Sequence, residues 1–324
     1  MSRVFASGFA EDLDGMIRLK VSLGYSERTY LDRASSFDRY CGREHPGCGS
    51  LTQGVVLGWM KEDGGTQCRS LHRKAAFARC FGSYLASMGK AAYILPDKFT
   101  TGTTVFAPYL FSDSEMGRLF HEIDAYECPK DPFQPILLSV YFRLTYTCGL
   151  RPNEGRNLKR DEVDLGIGEV RIVDSKRHRS RTVVMSDDMA ALARAYASIR
   201  DVSFPESAYF FPSPGGGAYS ARWMQGKFRK FFILSKPDEP KELLPAVRVY
   251  DLRHRFATAV LTRWLDEKKD LSSRLPYLQT YMGHKEMDAT AYYIHILPEN
   301  LVRSAGIDWE SMKNLIPRVE LWEK

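Results

Sequence analysis

The chain has 324 residues, of which 44% are hydrophobic and 27% charged, a balance typical of a globular protein and not of a disordered one. Its longest apolar stretch, near residues 135–147, is too short to span a bilayer, and the N-terminus lacks a signal-type apolar core. We therefore expect a cytoplasmic protein with no membrane span. The net charge of +6 and the pI near 8.9 favour polyanionic partners only weakly, because many soluble proteins are mildly basic.

The six cysteines lack the dense, even spacing of a secreted disulfide domain, so we expect reduced thiols. Cys41, His45 and Cys48 raise the alternative of a zinc site, because thiolates and imidazoles at short spacing bind that metal. Their C-x3-H-x2-C spacing is uncommon for structural zinc, and a loop rich in glycine and proline explains it more simply. We predict no metal and no other cofactor.

The first hundred residues predict a small bundle of helices. Residues 26–40 begin with Ser26 as a candidate N-cap and repeat apolar side chains at nearly the helical period. Residues 69–88 repeat the pattern, with basic side chains on the opposite face. Residues 89–111 change to proline, threonine and glycine, which predicts an extended linker. The sequence therefore predicts two domains, residues 1–105 and 106–324.

The second domain has mixed patterns. Ser112 and Glu115 have the spacing of a capping box, and the apolar residues 135–148 predict a buried helix. Residues 169–173 and 182–185 alternate like strands on either side of a basic segment, which predicts an antiparallel hairpin. Helical patterns predominate from Met189 onward. The fold class predicted from the sequence is α+β, mostly helical, with a small antiparallel sheet.

An ordered series of reactive side chains follows within this second domain. Tyr293 lies nine residues after His284, and Arg253, Lys176 and Arg151 precede them in the chain. Cleavage of a phosphodiester without a metal needs a nucleophile, cations for the phosphorane oxygens and a proton donor for the leaving oxygen, and this series supplies candidates for all three. Taken singly, each has an ordinary explanation, such as a surface ion pair, a solvated charge or a packed aromatic ring.

Two segments of this series carry a specific resemblance. Thr147-Cys-Gly-Leu-Arg-Pro-Asn-Glu154 resembles the first arginine box of the tyrosine recombinases, the phage integrase family, whose usual form is T-G-L-R-x-x-E. Tyr250-Asp-Leu-Arg-His-Arg-Phe-Ala-Thr258 resembles the second box, H-x-L-R-H-x-F-A-T. Arg253 and His254 agree with this second box, whereas Tyr250 stands where the family has histidine.

Two further segments extend the similarity to residues 110–300. Lys176 and Arg181 resemble the ends of the family's K-x-x-x-x-R-x-V-P-L hairpin. Gly283-His284 with Thr290-x-x-Tyr293-x-His295 resembles its C-terminal pattern, and this register selects Tyr293 over Tyr292, which is more simply a packed aromatic ring. The N-terminal helices look like the family's SAM-like core-binding domain, so residues 1–105 are expected to bind DNA and residues 106–324 to hold the catalytic site.

The resemblance implies a site-specific recombinase of the mobile-element integrase or transposase type. Tyr293 would cleave a strand to give a 3′-phosphotyrosyl enzyme and a free 5′ hydroxyl, without metal or ATP. Arg151 and Arg253 would bind the nonbridging oxygens, His284 would donate a further hydrogen bond, and Lys176 would act as general acid. Tyr250 is a poor base at neutral pH, so reduced catalysis is expected. The remaining cations of the hairpin are predicted to contact the DNA backbone: Arg177, Arg179 and Arg181.

The partners implied are a double-stranded recombination site, gripped between the two domains, and further copies of the chain as a dimer to tetramer on DNA. Residues 307–316 predict an amphipathic tail helix that packs on a neighbouring copy or on its own domain. Two alternatives stay open. One is a sequence-specific DNA-binding protein with weakened catalysis, and the other is an enzyme like the type IB topoisomerases, which acts alone.

Overall fold

A computed structural model of the protein describes residues 5–62, 68–96, 99, 108–174 and 179–295. The chain divides into two compact units, Met1–Ala107 and Pro108–Lys324. The domain boundary predicted from the sequence lies within two residues of this division. The predicted fold class is confirmed, since the described residues are mostly helical with one small antiparallel sheet. Each helix in these ranges is too short or too polar to cross a membrane.

The described part of the first unit contains four helices. They are α1 (Ala10–Ser22), α2 (Glu27–Glu44), α3 (Gln53–Lys61) and α4 (Cys68–Ser87). The helix predicted at 26–40 continues to Glu44, and Ser26 occupies its N-cap position without a side-chain capping bond. Phe37 and Trp59 lie at the centre of the core, with ring centroids 5.2 Å apart in an edge-on arrangement. The first unit thus has an apolar core of its own.

The cysteine segment belongs to this core. Cys41 is fully buried, and burial raises the pKa of its thiol to about 12. His45 lies against Tyr40, with Nε2 3.3 Å from the tyrosine hydroxyl. In the described ranges, no three His, Cys, Asp or Glu side chains are placed to hold a metal ion. A thiol as buried as that of Cys41 packs as a small apolar side chain.

The described part of the second unit contains eight α-helices and three strands. The helices are α5 (Asp113–Asp124), α6 (Phe133–Thr147), α7 (Pro152–Asn157), α8 (Asp187–Ser203), α9 (Ala221–Leu234), α10 (Tyr250–Asp266), α11 (Leu271–Met282) and α12 (Asp288–His295). The strands are β1 (Val163–Asp164), β2 (Glu169–Asp174) and β3 (Arg179–Val184). They form an antiparallel sheet in the order β1-β2-β3. The two-residue β1 is too short to leave a sequence pattern.

Local sequence signals explain several of these boundaries. Ser112 and Glu115 form the predicted capping box at the start of α5: the Ser112 side chain accepts from the Glu115 backbone, and the Glu115 carboxylate accepts from the Ser112 backbone at 2.8 Å. The helix predicted at 135–148 is α6. It ends before Gly149, whose φ of +60° lies in the left-handed region that glycine adopts at helix ends.

The second unit has a main core and a smaller apolar cluster. The main core combines helices α5, α6, α8 and α9 with the sheet. Helices α10, α11 and α12 form the smaller cluster, which includes Leu261, Met282 and Tyr293. The candidate nucleophile thus lies among apolar side chains, beside the helix that carries Arg253.

Candidate active site

The first arginine is placed by a sharp turn after α6. A Cβ on Gly149 would lie 2.5 Å from the ring of Phe256, so a larger residue would have to displace that ring. The turn puts Arg151 at the N-cap position of α7. Glu154, in the first turn of that helix, accepts from the backbone nitrogen of Arg151 at 2.8 Å and from its Nη1 at 2.7 Å. Glu154, the acid three residues on, thus holds Arg151 in place.

Arg253 enters from the first turn of α10 and is fully buried. Its Nη1 donates to the Gly149 carbonyl at 2.6 Å and its Nη2 to the Met282 carbonyl at 2.5 Å. Burial lowers the pKa of this guanidinium, although an arginine stays charged in a protein. The described contacts therefore hold Arg253 by backbone carbonyls, which leave its charge uncancelled.

The imidazole of His284 lies against this guanidinium. Arg253 Nη2 donates to His284 Nε2 at 3.1 Å, and His284 Nδ1 lies 2.8 Å from the hydroxyl oxygen of Thr290. Because arginine can only donate, Nε2 is the acceptor and the ring proton is assigned to Nδ1, which donates to Thr290. Burial, and then the charge of Arg253, lower the pKa of His284 to about 4. The imidazole is therefore neutral at pH 7.

Tyr293 lies between two imidazoles and is only 2% exposed. The ring of His284 stacks on it with centroids 6.0 Å apart and planes 19° apart, and the ring of His254 lies at 5.5 Å. Burial raises the pKa of the Tyr293 hydroxyl to about 12, and the charge of Arg253 opposes that rise. Tyr292 is partly buried and packs on the apolar cluster of α10, α11 and α12. This geometry favours Tyr293 as the candidate nucleophile.

Tyr250 and His254 complete the described surroundings of Tyr293. The two rings lie 5.0 Å apart on the first turns of α10. Tyr250 also lies near Arg151. Burial lowers the pKa of Arg151, whereas its hydrogen bond to Glu154 and, to a smaller extent, the phenol of Tyr250 raise it. The resulting pKa lies above the ordinary value for arginine. Burial also lowers the pKa of His254 to about 4, and its Nδ1 is buried without a hydrogen-bond partner among the described residues. The family resemblance identified His254 but assigned it no role.

The hairpin cations are only partly described. Lys176 and Arg177 lie outside the described residues, and Arg179 is described only as part of β3. Arg181 points into the protein, where its guanidinium donates to both carboxylate oxygens of Glu154. The DNA contact of these arginines stays a prediction, and Arg181 has a second, internal set of partners.

Sequence reasoning missed the carbonyl groups that hold the arginines. Gly149 O and Met282 O bind Arg253, and Gly283 O accepts from Arg151 Nη2 at 2.7 Å. A carbonyl group belongs to every residue, so no side-chain pattern indicates which ones will be used. The glycines themselves were visible in the motifs. Thr290 was also visible, since it belongs to the C-terminal pattern.

Four separate segments of the mostly helical domain contribute Arg151, Arg253, His284 and Tyr293. The structure brings these two guanidinium groups, the neutral imidazole and the buried phenol close together around the end of α11. Such a fold and site define an enzyme that transfers phosphoryl groups through a tyrosine. Residues 111–300 match the phage integrase family, and the chain belongs to this family, the tyrosine recombinases.

Relatives agree along most of the chain. The protein y4rE of Sinorhizobium fredii, which carries an integrase/recombinase name, is 30% identical over 294 residues, covering 90% of this chain and 92% of the relative. The tyrosine recombinase XerC of Bradyrhizobium diazoefficiens is 28% identical over 243 residues, covering 72% of this chain and 69% of the relative. The chain is accordingly a site-specific recombinase, an enzyme that breaks and rejoins DNA strands. The non-catalytic and topoisomerase alternatives are not favoured.

Solved structures share the fold at low identity. A post-cleavage complex of the XerH recombinase with palindromic difH DNA aligns with a TM-score of 0.64 and 17% identity, covering 88% of this chain and 80% of that chain. The Tn1549 transposon integrase in complex with transposon right-end DNA aligns with a TM-score of 0.62 and 14% identity, covering 87% and 94%. These likenesses agree with the tyrosine recombinase fold.

Proposed function

We propose that the protein integrates, excises or transposes a mobile DNA element, with Tyr293 as the nucleophile of strand cleavage. One observation carries the assignment of the nucleophile: Arg253 Nη2 lies 3.1 Å from His284 Nε2, and the His284 ring stacks on Tyr293. A phosphate seated at this guanidinium would therefore lie beside the Tyr293 side chain. The mobile-element role rests on the integrase names among the relatives.

In the reaction proposed, the Tyr293 hydroxyl releases its proton to solvent, and its oxygen attacks phosphorus while the bond from phosphorus to the 5′ oxygen breaks. The electron pair of that bond goes to the 5′ oxygen, which takes a proton from the general acid. Lys176 remains the proposed acid by its place in the hairpin. The product is a 3′-phosphotyrosyl enzyme and a free 5′ hydroxyl, which then attacks the phosphotyrosyl phosphorus of a partner strand and releases the tyrosine there. One ester replaces another, so the step needs no ATP.

The arginines would stabilise the extra negative charge that forms on the nonbridging oxygens. A guanidinium has five N–H donors, and Arg253 uses three of them on Gly149 O, Met282 O and His284 Nε2. Beyond these three, the N–H of Nε is buried and has no hydrogen-bond partner in the described part of the chain. Arg253 can thus bind phosphate without releasing the carbonyls that hold it.

The proposed substrate is a double-stranded recombination site, and the proposed assembly is a dimer to tetramer of this chain on DNA. XerH is solved with a difH substrate, the Tn1549 integrase with transposon DNA, and a λ integrase tetramer with a Holliday junction. A cytoplasmic location is part of this proposal, because such DNA would be found there. The predicted tail helix at 307–316 lies outside the described residues.

The test is covalent trapping on a nicked duplex that carries a site selected from a random DNA library by binding to the protein. Loss of the short fragment beyond the nick prevents rejoining, so the adduct accumulates and is seen by denaturing electrophoresis. With EDTA present, we expect an adduct with the wild type and with Tyr292→Phe, and none with Tyr293→Phe. Tyr292→Phe is the matched control, because it removes the same hydroxyl one residue away.

Three outcomes would overturn parts of this proposal. An adduct that survives in Tyr293→Phe and disappears in Tyr292→Phe would move the nucleophile to Tyr292. A wild type that binds the selected site and forms no adduct would favour a DNA-binding role. Relaxation of supercoiled DNA by the isolated monomer would favour a topoisomerase.

A further inference from the structure

Arg181 has an unusual set of partners for a basic residue on a sheet. Its Nη2 and Nη1 donate to the two carboxylate oxygens of Glu154 at 2.7 and 3.0 Å, and its Nε donates to the Tyr281 carbonyl at 2.9 Å. Only 12% of the Arg181 side chain and 15% of that of Glu154 are exposed. All three nitrogens of the guanidinium are therefore engaged inside the protein.

Glu154 binds two guanidinium groups at once. It accepts from Arg151 Nη1 at 2.7 Å while it forms the paired contact with Arg181. Although burial opposes ionisation, the hydrogen bonds from Arg181 and Arg151 bring the pKa of Glu154 down to about 2. The carboxylate is thus charged at neutral pH and links β3 to the turn that carries Arg151.

The second partner of Arg181 is the end of α11. Three successive carbonyl groups there each bind an arginine. Tyr281 O accepts from Arg181 Nε, Met282 O accepts from Arg253, and Gly283 O accepts from Arg151. Gly283 makes room for this contact, since a Cβ there would lie 3.1 Å from Cδ and Nη1 of Arg181. The Arg181 guanidinium therefore contacts both Glu154, which holds Arg151, and the end of α11, which holds Arg253.

We propose that Arg181 is a positioning residue for strand cleavage, which sets the two phosphate-binding arginines relative to each other through Glu154 and the end of α11. This inference rests on the proposed function of Arg151 and Arg253. It differs from the prediction that Arg181 contacts the DNA backbone. A positioning residue affects the rate of cleavage on bound DNA, whereas a backbone contact affects affinity and its dependence on salt.

The experiment compares wild type with Arg181→Gln on the nicked, library-selected duplex used for trapping. We expect the rate of adduct formation at saturating DNA to fall about 100-fold, as for a displacement of a catalytic group by about 1 Å. We expect the dissociation constant, and the slope of its logarithm against the logarithm of salt concentration, to stay at the wild-type values. Intact binding also reports that the variant is folded.

Two further variants separate position from charge. Arg181→Lys keeps the charge and one contact to Glu154, so we expect partial rescue, to about 10-fold below the wild-type rate. Arg171→Gln removes an exposed arginine from the neighbouring strand β2 and serves as the matched control. We expect it to cleave bound DNA at the wild-type rate.

The outcomes separate this inference from the proposed function. A wild type that forms no adduct overturns the proposed function itself. A wild type that cleaves, together with an Arg181→Gln variant that cleaves bound DNA equally fast, overturns the positioning role alone. A salt slope that decreases by about 0.9 with unchanged cleavage at saturation would make Arg181 a phosphate contact.

Discussion

Arg253 and Arg181 are both largely buried cations, and their partners differ in kind. Arg181 faces the carboxylate of Glu154, which compensates its charge. Arg253 is held by the carbonyl groups of Gly149 and Met282, which fix its position and carry no net charge. An uncompensated buried charge favours a ligand of opposite sign. At the residue scale, the protein keeps Arg253 available for phosphate by anchoring it to its backbone.

The buried histidines predict a dependence of stability on pH. The pKa values of His254 and His284 are lowered to about 4, from 6.5, so the unfolded chain binds protons at these positions at a higher pH than the folded chain does. Their contribution is complete above pH 6.5 and is lost as the pH falls towards 4. Between pH 7.5 and 5 we expect the free energy of unfolding to fall by about 1 kcal/mol for each histidine, because solvent screens part of each shift.

Urea unfolding across this pH range measures the effect. The control is the double variant His254→Asn, His284→Asn, in which the two titrating groups are absent and the profile should flatten. A double variant with the wild-type slope would show that other groups cause the loss.

Tyr250 predicts a gain of activity on substitution. A phenol is a weak base near neutral pH, so Tyr250→His should cleave faster, because imidazole can accept the proton of Tyr293. Single-turnover trapping on the nicked duplex gives the rate, and Tyr250→Phe, which keeps the ring and removes the hydroxyl, is the control. A histidine variant that cleaves no faster than wild type would contradict the assignment of a weakened base at position 250.

At the scale of elements, two turns with left-handed glycines position the arginines. Gly149 ends α6 and Gly283 ends α11, with φ of +60° and +65°. The carbonyl of Gly149 binds Arg253, and that of Gly283 binds Arg151. Arg253 lies on α10 and is bound to the end of α6. Arg151 begins α7 and is bound to the end of α11. The arrangement makes the geometry of the site depend on how these helices end.

Substitution of Gly149 tests this dependence. Gly149→Ala adds backbone strain of about 1–2 kcal/mol and a contact with the Phe256 ring that costs about 1–3 kcal/mol more, and it should also slow cleavage by moving the carbonyl that binds Arg253. Gly216→Ala is the matched control, because Gly216 has a φ of +76° and no atom within 4 Å of an added Cβ. The prediction fails if the two variants lose equal free energy of unfolding in urea.

Much of the site was predictable from the sequence, because its residues recur in ordered motifs. Arg151, Arg253, His284 and Tyr293 were selected by their resemblance to the family's motifs, and the capping box of α5 was recognisable from its spacing. The pairing of Arg181 with Tyr281 was not, because these residues are 100 positions apart and no local pattern links them. Distant packing also decides whether a basic residue faces solvent or the interior.

At the scale of the whole molecule, the two units have separate apolar cores. Each core can therefore unfold as its own cooperative unit. Trp59 is the only tryptophan in residues 1–107, so its fluorescence reports on the first unit. The change in tryptophan fluorescence that is lost in Trp59→Phe can be assigned to unfolding of the first unit. The change that remains in this variant can be assigned to the second unit.

The proposal that both units bind DNA predicts that the urea unfolding transitions of both units shift when DNA is added. At a free DNA concentration 100 times the dissociation constant, binding stabilises the bound form by about 2.7 kcal/mol. We expect the urea midpoints of both units to rise on addition of the selected duplex. A shift confined to the second unit would contradict the prediction that residues 1–105 grip the DNA, and a duplex of scrambled sequence serves as the control.

The burial of Tyr293 has a consequence after cleavage as well as before it. A side chain that is 2% exposed excludes water from the ester that it would form with DNA. Hydrolysis of that ester would leave a broken strand with no stored bond to reseal it. The apolar surroundings that keep the phenol protonated would therefore also preserve the covalent link until a 5′ hydroxyl attacks it, so that each cut ends in a continuous strand.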